Sequence, residues 1–427
     1  MPVTISDYLS ADPEAAKRRA LTPNSASLQG SMILRIAKEA GELARAGRPV
    51  VNFTIGDFKP GQFSIPADLS AKITEMLRAG NTNYQPAAGV LELQQALSRL
   101  YTERLGIEYS PDAFVIGSGA RPPIYASWKL FVEPGDKTVS FLPMWNIGYY
   151  AHLFKSDHHF VPTTAENDFF PTVAQATEAM RGARLMLINS PLNPTGTAIS
   201  VDVMRGIAQA LVAENATRDK PCMLVFDQVY WMLTAPGTTH ANPVALVPEC
   251  APYVIHVDAI SKCFAATGLR LGWGVMPPYI QQNMKALIAH MGAWSGRPAQ
   301  MATAWYLSQP GRMDAYMDDM REAIGVRLDR LYAGITAMRD EGLPVDAIAP
   351  QGAIYLSFHV DIVGRPGFPD NESVRRFLLE EADTAVVPFQ AFDLPDDSGW
   401  FRMSIGAVGL EDIDASLDRM RAALHRL

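Results

Sequence analysis

Short apolar runs alternate along this chain with longer stretches whose apolar positions recur at helical spacing. AFVIGSG, KTVSFLP, RLMLINS, CMLVFDQ and YVIHVDAIS each predict a strand. The first leads straight into a helix opening, ARPPIYASWKLFV, and VDVMRGIAQALVAEN predicts a helix between the third and fourth. Strands apolar on both faces and separated by helices imply an α/β fold whose mainly parallel sheet is covered on both sides. Beyond RPAQMATAWYL the texture changes. DAYMDDMREAIGVRLDRLYAGITAMRDEG is one long helical pattern, stopped by Gly342 with Pro344 just beyond. AIYLSFHV, TAVVPF and WFRMSIG then predict strands, and LEDIDASLDRMRAALHRL a terminal helix. This reads as a second, smaller α/β domain, completed by the N-terminal helix GSMILRIAKEAGELARAG. The expected division is an N-terminal arm over 1–27, a small domain from 28–61 with 312–427, and a large domain over 62–311.

Composition agrees with this picture and excludes several partners. A chain of 427 residues is long enough for two or three domains, and 48% hydrophobic with 19% charged residues is a folded rather than a disordered composition. The net charge of −8 argues against a nucleic-acid partner, which usually demands a basic face. Cys222, Cys250 and Cys263 are odd in number and far from any metal-ligand spacing, so they read as reduced thiols of a cytoplasmic protein with no metal. The N-terminus lacks an apolar signal core, and no uncharged apolar run reaches the roughly 18 residues of a membrane span, so no membrane partner is expected.

The candidate chemistry starts in DAISKCFAATGLRLGWG, where Lys262 stands in an apolar, glycine-flanked loop and the next charge is Arg270. Loss of hydration disfavours the charged amine, and a neutral amine is what a bond to a carbonyl cofactor requires. Arg270 follows the Gly268 turn, where a planar cation can hold a phosphate. Upstream, SPLNPTGT puts Asn193 just after a strand, and VFDQVYW ends a strand in Asp227 with Tyr230 three residues on. GSGARPP ends a strand in small residues and opens a helix, a geometry that offers backbone N–H groups to an anion. Taken singly, these residues also fit a surface cation, a turn and a helix cap. GSGARPP has neither the third spaced glycine of a dinucleotide fingerprint nor the lysine of a nucleoside-triphosphate loop.

Taken in order, the small-residue turn, an aromatic, Asn-Pro-x-Gly, Asp-x-x-Tyr, Ser-Lys, Gly-x-Arg and a late arginine resemble the class I/II aminotransferases, pyridoxal-phosphate enzymes of fold type I. The resemblance runs from about Val51 to the C-terminus and implies a three-layer large domain beside the smaller one. It implies pyridoxal 5'-phosphate as cofactor, held as a Schiff base by Lys262, which also shuttles the substrate Cα proton. Asp227 is implied as the partner of the pyridine nitrogen, with Asn193 and Tyr230 on the phenolic oxygen. Trp145, in LPMWNIGYY, matches the aromatic stacked on the ring, its alternative being a core tryptophan. Gly119, Ala120 and Arg121 match the phosphate turn, with Arg270 adding charge and Ser261 beside it. Tyr84 matches a tyrosine that reaches the neighbouring subunit's phosphate, which implies a homodimer with a shared site. Gly56 and Arg402 match the elements that hold the substrate α-carboxylate, where a guanidinium clamps two oxygens at once. The side chain of Arg121 is a further candidate, for the distal carboxylate of aspartate, glutamate or 2-oxoglutarate, with a structural ion pair to a carboxylate of the same or the neighbouring subunit as its alternative.

The resemblance implies transfer of an amino group between an L-amino acid and a 2-oxo acid in a two-half, ping-pong cycle. The scaffold also runs eliminations such as C–S lyase reactions, ring closures and aromatic transamination. Ligand-sensing domains of transcription regulators share the fold, but about 27 residues ahead of LQGSMILRIAKEA are too few and too acidic for a DNA-binding module. Two departures stand out. Ala259 replaces the first serine of Ser-x-Ser-Lys, removing one phosphate hydroxyl, and the usual Asp-Glu pair is Asp227-Gln228, a change expected to matter little.

Overall fold

The computed structural model describes residues 2–9, 12–145 and 147–427; Met1, Ser10 and Ala11 of the expected arm, and Asn146 beside Trp145, lie outside the described residues. In chain order the strands are β1 (Val51–Asn52), β2 (Phe114–Gly117), β3 (Lys137–Leu142), β4 (Asp157–Pro162), β5 (Leu185–Asn189), β6 (Met223–Asp227), β7 (Val254–Ala259) and β8 (Gly272–Val275). They continue as β9 (Val345–Ala347), β10 (Tyr355–Val360), β11 (Thr384–Ala385), β12 (Val387–Pro388) and β13 (Trp400–Ser404).

The large sheet has the order β2-β8-β7-β6-β5-β3-β4. All its pairings are parallel except those of β8, which runs antiparallel to both neighbours. Every residue of β5, β6 and β7 is buried, as strands with helices on both faces must be, and this is why their sequences are apolar apart from Asn189, Asp227, His256 and Asp258. The smaller sheet is antiparallel, β12-β13-β10-β9, while β1 pairs in parallel with β11 and so joins residues 51–52 to the C-terminal part of the chain. The helix Pro310–Asp340 turns one face inward through Met317, Ile324, Leu331 and Met338, spaced seven apart, and ends where Gly342 takes a φ of +86°.

Several sequence expectations change here. β4 gives no periodic signal because DHHFVP is largely polar with no buried residue, as an edge strand can be. β8, GWGV, was hidden by its glycines, and Gly272 is there because a Cβ would stand 2.5 Å from the carbonyl carbon of Gly119. TAVVPF is not one strand; its halves serve different sheets. Lys262 sits not in a loop but on a one-turn helix, Ile260–Cys263, that directly follows β7. Apolar packing also crosses residue 311, since Leu97 and Tyr306 share one core with Leu331 and Phe358.

Candidate active site

The carboxyl ends of β5, β6 and β7 open into a cavity of about 690 Å³, the position where open α/β sheets bind ligands. Its lining includes Gly56, Ala120, Arg121, Trp145, Asn193, Asp227, Tyr230, Ser261, Lys262, Arg270 and Arg402, residues up to 346 positions apart in a chain that the fold brings to one place. Four cationic side chains, Arg121, Lys262, Arg270 and Arg402, face two carboxylates, Asp57 and Asp227, so the cavity suits an anionic ligand.

Asp227 ends β6 and is fully buried. Its Oδ1 accepts the Val229 N–H at 3.2 Å, while the buried Oδ2 has no hydrogen-bond partner. Burial pushes its carboxyl up to about 6, against the Val229 N–H, the Trp145 side chain and Lys262, which pull it down. A buried acceptor without a donor is costly unless a ligand completes it, and a protonated ring nitrogen is such a donor. Lys262 Nζ donates to the Gly56 carbonyl at 2.5 Å and lies 5.7 Å from the Tyr230 ring centre. The Tyr230 hydroxyl is 2.7 Å from that of Tyr355, and burial, with Tyr355 beside it, raises the Tyr230 phenol well above its ordinary value.

Arg402 lies on β13, the strand between β12 and β10, and is 1% exposed. It donates from Nη2 to the Thr54 carbonyl at 2.5 Å and from Nη1 to Asn193 Oδ1 at 3.0 Å, and its guanidinium packs 4.7 Å from the ring centre of Tyr355 and 4.9 Å from that of Phe392. Its buried Nε has no partner, and no carboxylate pairs with it among the described residues. Burial accordingly lowers its pKa. Gly56 is required at its place, because a Cβ would stand 2.7 Å from the Tyr355 hydroxyl.

At the other end of the cavity, Gly119 has a φ of +90° and a Cβ on it would stand 2.4 Å from Arg270 Nη2. Arg270 is held over this turn by its bonds to the carbonyls of Thr267, at 2.8 Å, and Ser118, at 3.0 Å. The Gly119 N–H turns back to the Gly117 carbonyl at 2.8 Å, and Pro122 and Pro123 have no N–H at all, so the turn is left with the N–H groups of Ala120 and Arg121 to offer. The Arg121 guanidinium lies 5.2 Å over the Trp145 ring and has no ion pair within the chain among the described residues, which removes the intrachain ion-pair alternative. Trp145 is half-buried at the cavity wall rather than in the core.

Tyr84 is not brought to this cavity. It is 83% exposed, with only its ring edge against Trp294 at 5.7 Å. Conversely, Tyr355 and Thr54 touch Tyr230 and Arg402 without any sequence signal, since an alternating strand such as AIYLSFHV gives no sign of which tyrosine faces a cavity. The outer wall, also unforeseen, is apolar: Ile33, Leu34 and Ala37 of the helix Met32–Arg45 face Tyr149, Tyr150 and Leu153 of the helix Ile147–Phe154.

A basic anchor over a glycine turn, a free amine, an unpartnered carboxylate oxygen and a buried unpaired arginine fit a phosphorylated pyridine aldehyde together with a carboxylate substrate. Among the described residues no cluster of His, Cys, Asp and Glu could hold a metal ion, and no helix is long and apolar enough to cross a membrane.

Comparison with known proteins points the same way. Residues 48–420 match the family model for aminotransferase class I and II. The chain is 26% identical over 404 residues to an aspartate aminotransferase of Geobacillus stearothermophilus, covering 94% of this chain and 98% of that one. It is 27% identical over 414 residues to an aspartate/prephenate aminotransferase of Thermus thermophilus, covering 96% and 100%. A solved structure of the Thermus thermophilus aspartate aminotransferase with maleate superposes with a TM-score of 0.85 at 26% identity, covering 95% of this chain and all of that one.

Proposed function

This chain belongs to the class I and II aminotransferase family, and from that premise we propose that it moves the amino group of aspartate or glutamate to a 2-oxo acid such as 2-oxoglutarate. It is a pyridoxal 5'-phosphate-dependent aminotransferase. When bound, pyridoxal phosphate supplies an aldehyde that an amine can hold and a ring that accepts the electron pair left when the substrate Cα loses its proton.

Lys262 would hold the aldehyde carbon through Nζ and would carry the substrate Cα proton at the same atom. Its bond to the Gly56 carbonyl keeps that nitrogen over the cavity floor. Asp227 Oδ2 would accept the ring N–H, and the ionised carboxylate would keep that nitrogen protonated. Tyr230, oriented by the Tyr355 hydroxyl, and Asn193, oriented by Arg402, would bond the phenolic oxygen. Trp145 would pack against the ring, and Arg270, Ser261 and the N–H groups of Ala120 and Arg121 would hold the phosphate in place of the hydroxyl missing at Ala259. Arg402 clamps the substrate α-carboxylate beside Gly56, and Arg121 reaches the distal carboxylate.

The observation that carries the reading is the buried, unpartnered Asp227 Oδ2 in the same cavity as the Lys262 amine. Borohydride treatment of the purified protein should bleach its visible band and add a cofactor mass to the peptide containing Lys262. A label on another lysine overturns the assignment. A second substrate class is favoured by the apolar wall of Ile33, Leu34, Tyr149 and Leu153, which suits aromatic or aliphatic amino donors. The proposal includes a cytoplasmic homodimer in which Tyr84 serves the partner's phosphate, its exposure supporting that role. It also includes the division into an arm of 1–27, a small domain of 28–61 with 312–427 and a large domain of 62–311, supported by the β1–β11 pairing.

A further inference from the structure

Tyr355 touches both the residue that serves the substrate carboxylate and one that serves the cofactor. It stands on β10, 1% exposed, opposite Ser404. Arg402 lies two positions back along β13 and so shares its face of the sheet. That diagonal brings the Arg402 guanidinium 4.7 Å from the Tyr355 ring centre. At the far end of the ring the hydroxyl is 2.7 Å from that of Tyr230, and each is the other's only hydrogen-bond partner among the described residues.

Two buried hydroxyls joined by one bond use one proton and leave one free. If Tyr230 donated, the free proton would sit on Tyr355, which has no other acceptor among the described residues. The Tyr355 oxygen is also closed in by Gly56, where a Cβ would stand 2.7 Å away. A buried donor left without an acceptor is costly. If Tyr355 donates, the free proton sits on Tyr230, which lines the cavity with its ring centre 5.7 Å from Lys262 Nζ, where a ligand oxygen can take it. The Arg402 cation over its ring draws electron density from the Tyr355 phenol and favours it as the donor. Tyr230 keeps its own proton, since burial, then Tyr355 and Asp227, hold its phenol well above the ordinary value against the pull of Arg402. The charged groups around the pair are Arg402 on β13, Asp227 at the end of β6 and Lys262 on the helix Ile260–Cys263.

We propose that Tyr355 is a positioning residue that joins the two halves of the site. Its ring seats the Arg402 guanidinium for the substrate α-carboxylate, and its hydroxyl donates to Tyr230, which leaves Tyr230 a proton for the phenolic oxygen of the cofactor. The inference rests on the cofactor reading above. A hydroxyl that accepts one hydrogen bond donates a stronger one. The phenolic oxygen therefore gives up more of its negative charge than Tyr230 alone would draw from it. Less charge on that oxygen weakens its hold on the proton at the nitrogen that Lys262 supplies.

The pH midpoint of the holoenzyme's visible band is titrated for wild type, Tyr355→Phe, Tyr230→Phe and the double variant. Tyr355→Phe keeps the ring and loses the hydroxyl, and should raise the midpoint by about half a pH unit, roughly threefold in proton affinity. In the Tyr230→Phe background the same change should move it by less than about a third as much, because it acts through Tyr230. No shift in the single variant, or equal shifts in both backgrounds, overturns the proposal. Tyr355→Leu, which also removes the ring from beneath Arg402, should raise KM for amino acids about tenfold above that of Tyr355→Phe. A KM equal to that of Tyr355→Phe overturns the seating of Arg402. In the apoprotein, urea unfolding of the first four proteins tests the pair without cofactor. The double variant should unfold no more easily than the less stable single one, since it leaves neither hydroxyl unpaired. Losses that simply add overturn the bond. A protein with no visible band would instead sink the cofactor reading, while the apoprotein unfolding would still decide whether the two hydroxyls are joined.

Discussion

Replacing Arg402 by methionine removes a guanidinium that is 1% exposed and paired with no carboxylate among the described residues, while keeping most of the volume packed between Tyr355 and Phe392. Two opposing effects act on the protein without substrate. The Thr54 carbonyl and Asn193 Oδ1 each lose a donor, at about 1–3 kcal/mol apiece when buried. Against this, an unpaired cation is no longer held out of water, a relief of several kcal/mol. The two nearly cancel, so the melting temperature should change by no more than a few degrees. With substrate the balance is one-sided. An α-carboxylate left without its partner in a desolvated site costs about 2–5 kcal/mol, or roughly 30- to 5000-fold in kcat/KM. The assay compares kcat/KM for amino acids with that for amines of the same side chain lacking the carboxylate, alongside thermal melts of wild type and Arg402→Met. Amino acids should lose the full factor and amines little. An equal loss for both, or a collapse in melting temperature, would refute the reasoning, because Arg402 would then be structural.

Arg121→Met should lower kcat/KM selectively for dicarboxylic substrates and spare aromatic and aliphatic ones, since the side chain pairs with no carboxylate among the described residues; an even loss across a substrate panel refutes its role. Mixing inactive Tyr84→Ala with inactive Lys262→Ala protein should restore part of the activity through mixed dimers that rebuild one intact site, and no recovery after verified subunit exchange counts against a shared site. Asp227 has a folded pKa raised to about 6 from 3.8, so between these values the native apoprotein binds more protons than the unfolded chain and loses stability as pH rises. Asp227→Asn should therefore stabilise the apoprotein more at pH 7.5 than at pH 4.5, by about 2 kcal/mol, while weakening cofactor binding. Melts at the two pH values check the sign, and a gap that shrinks with rising pH contradicts it.

What the sequence determined by itself was local. Central strands such as LMLIN and MLVFD must be apolar on both faces, and the long amphipathic helix Pro310–Asp340 must end near a glycine, so the α/β class was legible from periodicity alone. Lys262, Asp227, Asn193 and Arg270 could be singled out because polar residues stand at the ends of apolar strands or inside an apolar run, in an order that resembles one family. Periodicity could not reveal β8, whose glycines answer to the Gly119 turn across a gap of 153 residues, nor β4, an edge strand with a polar face. It could not show that Tyr355 rather than another strand residue meets Tyr230, or that Arg402 is left without a carboxylate, because both depend on which distant backbone comes to lie alongside. The sense of the bond between the Tyr355 and Tyr230 hydroxyls was out of reach for the same reason. A hydrogen bond's sense is fixed only when every donor and acceptor around it has been counted, and that count exists only once the chain has folded.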